Sequence, residues 1–142
     1  MTTRVDFHSK VADKLNYACR LVRKARAADC HIVIYSDNDA QLRTLDEALW
    51  TFSELDFLPH AMAADAIAAQ TPVILANNLD STLPHHQILI NLSSETPTNF
   101  TLFERMLEIV SAESADAAAG RERYRYYQQQ GHPLTHFVAD KI

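Results

Sequence analysis

Arg121-Glu122-Arg123-Tyr124-Arg125-Tyr126-Tyr127 is the run in this sequence best equipped to bind something. On a helix, Arg121, Tyr124, Arg125 and Gln128 fall at i, i+3, i+4 and i+7 and share one face. Two fork-shaped guanidiniums beside a phenol ring suit an acidic peptide that ends in an apolar residue with a free carboxylate. Arginine and tyrosine also hold phosphate and base, which leaves single-stranded nucleic acid open as a ligand. The bland alternative is a solvated helix on which exposure tolerates the Arg121–Arg125 pair.

A second segment is apolar. Leu45-Asp46-Glu47-Ala48-Leu49-Trp50 is followed by Phe57-Leu58-Pro59-His60. If Leu45, Leu49 and Phe52 face a core, Trp50 is rotated by about 100° from Leu49 and sits at its margin. Phe57 and Leu58 are adjacent, so an extended backbone cannot bury both on one face. Trp50, Phe57, Leu58 and Pro59 together would form a protein-binding patch. A Trp50 that simply caps the core edge explains the same residues.

Other chemistries find little support. Close approach of backbone to phosphate needs glycines at the first β-to-α turn, yet the only two glycines are Gly120 and Gly131. The corresponding turns read His8-Ser9-Lys10 and Ser36-Asp37-Asn38-Asp39, and the second would repel a phosphate. His132 and His136 are four apart but flank Pro133; His85 and His86 are adjacent and diverge on a regular element. Solvated histidines fit better than a metal site. Asp37 and Asp39 read as helix-capping residues, because no bidentate Glu follows at cation-loop spacing. Cys19 falls inside a helix and Cys30 just before a strand, neither with an activating neighbour, so both read as reduced thiols. No catalytic constellation, cofactor or metal is expected.

These residues must be positioned by elements that the pattern suggests. Residues 4–8 alternate, as in a strand with one buried face. Val11, Leu15, Ala18, Val22 and Ala25 follow a helical rhythm, with Lys14, Arg20, Arg23, Lys24 and Arg26 opposite. Residues 31–35 form a buried strand, and a helix capped within residues 37–39 turns Leu42, Leu45, Leu49 and Phe52 inward. Residues 57–60 read as a turn or edge segment, since Pro59 cannot donate to a ladder. Residues 73–76 and 88–92 are further strands. A third amphipathic helix is expected after Thr98 or Asn99, burying Phe103, Met106, Leu107 and Val110. A polar helix over residues 114–130 ends at Gly131. The order β-α-β-α-β-β-α-α predicts a three-layer α/β domain with a mostly parallel sheet.

The 142 residues fit one domain, spanning 1–142, and 47% hydrophobic residues suffice for a core. No run approaches the roughly 20 apolar residues of a membrane span, and the start of the chain lacks a signal-peptide stretch. A cytoplasmic location is expected. The net charge of -5 argues against a general nucleic-acid binder. Charge is also unevenly spread: residues 1–43 carry +3, residues 44–120 carry -10, and residues 121–142 carry +2.

The two segments singled out above, in this order and at this distance, resemble the chi subunit family of DNA polymerase III. Length and the β-α-β opening agree along the whole chain, although residues 61–97 agree only in pattern. The resemblance implies a Rossmann-like fold without a nucleotide site and a role as an accessory subunit of the clamp-loader complex. It implies two partners, the psi subunit and the acidic, phenylalanine-terminated tail of single-stranded DNA-binding protein, with DNA contacted only indirectly. By matching position, Arg121, Tyr124, Arg125 and Gln128 belong to the tail site. One of the two arginines takes the terminal carboxylate, the other takes upstream Asp side chains, and Tyr124 walls the phenyl pocket. Trp50, Phe57, Leu58 and Pro59 fall to the psi-facing surface, with Phe57 as its anchor. The family's basic helix tends to carry further Lys or Arg where this chain has Ala117 and Gln128, which implies weaker, less salt-sensitive tail binding.

Overall fold

In the computed structural model, the described residues are 3–51, 60–63, 71–77, 79, 83 and 86–138. β-Branched and aliphatic runs form the centre of the sheet. Strands β1 (Arg4–Val11), β2 (Ile32–Tyr35), β3 (His60–Met62), β4 (Val73–Ala76), β5 (Ile88–Asn91), β6 (Arg105–Ser111) and β7 (Leu134–Val138) are all parallel. Their order is β3-β4-β2-β5-β6-β1-β7. The expected mostly parallel α/β architecture is present.

Helices cover both faces. On one, α1 (Lys14–Ala27) and α2 (Asp39–Thr51) bury Ala18, Cys19, Val22, Leu42, Leu45 and Leu49 against Ile32, Ile34, Leu75 and Ile90. Asp13 caps α1 by accepting the Asn16 N–H at 3.1 Å, and Asn38 caps α2 by accepting the Gln41 N–H at 3.1 Å. Burial pushes the Cys19 thiol up to about 11, away from any nucleophilic role. On the other face, α3 (Ser114–Gln129) and a 3-10 turn at Phe100–Leu102 pack against Val5, Phe7, Val33, Leu89 and Met106. Helix α3 stops as expected: Gly131 takes φ 83° just past its end.

Three expectations are corrected. The segment expected to be a third amphipathic helix is instead β6, between β5 and β1. Phe103, Met106, Leu107 and Val110 imitate helical spacing because both faces of β6 are covered, which erases the period-two signal. Met106 and Val110 join the core under α3, whereas Leu107 and Ile109 join the core under α1. The first strand is longer than expected and is also buried on both faces, with Val5 and Phe7 in the core under α3, Val11 in the core under α1, and Asp6 and His8 buried as well. Val11 closes that strand rather than opening α1. The stretch after Pro133, carrying His136, is the edge strand β7, unforeseen because its residues are only partly buried.

Candidate functional site

Helix α3 presents Arg121, Tyr124, Arg125 and Gln128 outward because its opposite face is tied down. Gly120, Arg123 and Tyr127 are its buried residues. A Cβ at Gly120 would lie 2.9 Å from both Val110 γ-carbons, so only glycine lets the helix sit this close to β6. Beneath it the Glu108 carboxylate, fully buried, accepts from Tyr127 Oη at 2.6 Å, Asn91 Nδ2 at 2.8 Å and Arg123 Nε at 3.1 Å. Arg123 also donates to the Ser94 carbonyl at 2.7 Å. Burial pushes the Glu108 carboxyl up, against the opposing pull of Arg123 and of the hydrogen bonds from Tyr127 and Asn91. Burial and the neighbouring Glu108 likewise push the Tyr127 phenol up. The network anchors the helix and faces away from solvent.

Along the margin of α3 nearest β1 and β7 runs a groove of about 730 Å³. Phe7, Val110, Ala117, Gly120 and Tyr124 supply its apolar surface, and Arg121 and Arg125 stand on its helix side. Tyr124 is half-buried, with its ring edge-on to Phe7 at 5.1 Å between centroids. Both arginines are exposed. Arg125 pairs with Glu122 at 2.8 Å, with side chains 62% and 75% exposed, a contact that water already weakens. Three of the four residues expected on this face therefore share one concavity. Gln128 is exposed on α3 but does not line it.

The second expected patch is only partly visible. Trp50 is 53% exposed at the end of α2, its ring 4.6 Å from that of His60. His60 Nε2 lies 2.9 Å from the Asp46 carboxylate. Phe57, Leu58 and Pro59 lie outside the described residues.

The crevice where doubly wound sheets ordinarily bind ligands is a shallow cavity of about 490 Å³ lined by the residues that join β1 to α1 and β6 to α3. Neighbouring strands β1 and β6 lead to helices on opposite faces, and such a switch point opens a crevice beyond their carboxyl ends. Asp13 and Glu113, the residues preceding α1 and α3, line it. Lys14 Nζ reaches across to Asp116 at 3.3 Å and to the Leu92 carbonyl at 2.9 Å. Burial works to raise the Asp116 pKa, but the Ser111 N–H and Lys14 outweigh it and hold the carboxyl below its usual value. Among the described residues, no three His, Cys, Asp or Glu side chains gather as a metal site. His132 packs on Phe100, and His136 lies in β7.

Sequence reasoning missed Glu108 and Arg123, the pair that seats α3. One clue was available: a carboxylate inside the apolar run 106–110 must be paired if it is buried. It also missed Lys10 and His136, which line the groove from β1 and β7. Their proximity to α3 is a product of sheet order.

Residues 1–135 match the family described as DNA polymerase III chi subunit, HolC. The DNA polymerase III subunit chi of Pseudomonas aeruginosa is 35% identical over 136 residues, covering 93% of this chain and 94% of that protein. The protein of the same name from Haemophilus influenzae is 28% identical, covering 83% and 82%. That from Escherichia coli is 27% identical, covering 82% and 79%. A family match across nearly the whole chain, joined to a relative above 30% identity, shows that this chain belongs to the DNA polymerase III chi subunit family.

Proposed function

We propose that this chi-family protein is a non-catalytic adaptor that joins the clamp-loader complex, together with psi, to single-stranded DNA-binding protein in the cytoplasm. Its α3 groove takes the acidic, phenylalanine-terminated tail of that protein. One observation carries the reading: a groove of about 730 Å³ has an aromatic and aliphatic floor beside two exposed guanidiniums. That volume lies within the range of sites that enclose a small ligand or a few residues of peptide. The apolar floor suits a phenyl ring. One guanidinium takes the terminal carboxylate, and the other takes an upstream Asp. Since the Arg125–Glu122 pair is exposed, exchanging Glu122 for a peptide carboxylate costs little.

Titration calorimetry with a synthetic acidic peptide ending in Phe tests this reading. Arg121→Ala and Arg125→Ala each weaken binding by about 1–3 kcal/mol, as expected for a charge-assisted hydrogen bond. A double variant that binds as tightly as the unmodified protein refutes the assignment. Direct binding of single-stranded DNA is the rival reading. The net charge of -5 and the short basic patch count against it. Tight binding of naked DNA in a gel shift at physiological salt would favour it. The psi subunit is assigned to the surface around Trp50, Phe57, Leu58 and Pro59.

A further inference from the structure

The wall of the α3 groove opposite the arginines contains a cation that the reading of the helix overlooks. Strand β1 keeps regular register with β6 from Arg4 to His8, then slips before Val11 pairs with Ser111. Within that irregularity Lys10 takes φ 57°, a left-handed conformation that is uncommon and unfavourable for a residue with a Cβ. Lys10 and Ser9 both line the groove. Ser9 Oγ lies 2.7 Å from His136 Nε2, which couples the wall to the edge strand β7 at this point. The Lys10 side chain is exposed and has no ion-pair partner among the described residues. The strand thus departs from ladder geometry where it delivers an unneutralised ammonium to an apolar groove with arginines across it.

We propose that Lys10 is a third cationic contact for the acidic peptide, so that the tail is gripped from both sides of the groove. This inference rests on the tail-binding reading above. One arginine on α3 holds the terminal carboxylate and the other an upstream Asp, whereas Lys10 meets a further carboxylate from the opposite wall. An ammonium on a flexible stem acts there as a point charge and does not demand a bidentate geometry. It thereby compensates for the absence of a basic side chain at Ala117 and Gln128 on α3 itself.

Lys10→Asn is the informative variant, because Asn tolerates the left-handed backbone and removes the charge. Calorimetry at low salt with the acidic, Phe-terminated peptide is expected to show about two- to five-fold weaker binding, the effect of one exposed ion pair. Lys10→Arg should restore affinity. The difference between Lys10→Asn and the unmodified protein should vanish when the upstream Asp residues of the peptide are replaced by Asn, and should shrink as salt is raised. If the unmodified protein binds the peptide, Arg121→Ala loses it and Lys10→Asn binds as before, this inference fails while the tail-binding reading stands. If the unmodified protein does not bind the peptide at all, both fail.

Discussion

Glu108 carries a carboxylate to a position on β6 that water does not reach, and the surroundings are arranged to tolerate it. Tyr127, Asn91 and Arg123 all donate to it, and Arg123 sits on the buried side of the helix whose other side carries Arg121 and Arg125. Three arginines within five residues thus have two separate settings, one buried and two exposed. Removing one partner of such a pair leaves the other charge stranded in a low-dielectric interior. Glu108→Ala is expected to lower stability by about 3–5 kcal/mol in urea unfolding. The double variant Glu108→Leu, Arg123→Met should recover part of that loss, because it strands neither charge. A Glu108→Ala protein within about 1 kcal/mol of the unmodified one would show that the network contributes far less than typical buried pairs.

At the scale of elements, Gly120 sets two effects against each other. Helix propensity alone predicts that Gly120→Ala stabilises α3 by about 1 kcal/mol. The structure predicts the opposite sign, since the new methyl would meet both Val110 γ-carbons at 2.9 Å and Val110 is a stiff β-branched residue on a central strand. Overpacking of that kind costs about 1–3 kcal/mol, which outweighs propensity. Gly120→Ala should therefore lower the thermal midpoint, and adding Val110→Ala should restore much of it. Elevation of the midpoint by Gly120→Ala alone would contradict the packing argument. The same contact explains why a glycine inside the helix, legible as an apparent weakness, belongs to the groove: it brings α3 close enough to β6 for Val110 and Tyr124 to share one floor. Strand β6 itself was illegible for a related reason. With neighbours on both edges and cores on both faces, its sequence carries apolar residues without alternation, and the spacing of Phe103, Met106, Leu107 and Val110 then imitates a helix.

Over the whole molecule, the two candidate surfaces occupy different faces and different ends of the sheet. Trp50 belongs to α2, on the face covered by α1 and α2, near the β3-β4 end; the groove lies under α3, on the other face, near the β1-β7 end. On the function proposed above, this layout would leave room for two partners at once. In pull-downs, Trp50→Ala or Phe57→Ala should weaken retention of psi and spare the acidic tail, and Arg121→Ala should do the reverse. Loss of both partners from either kind of variant would contradict independent surfaces. The sequence by itself determined the class of fold, the presence of the first two helices and the cap of the second within residues 37–39, the end of the last helix at Gly131, and the grouping of Arg121, Tyr124 and Arg125 on one face. All of these follow from short-range periodicity and local backbone preference, which act over a few residues. Tertiary structure alone decided that β6 is a strand, that β1 lies between β6 and β7, and that Lys10 and His136 meet α3 across a groove. Those outcomes depend on which strands become neighbours, and pairing between residues about a hundred positions apart leaves no periodic trace in either partner.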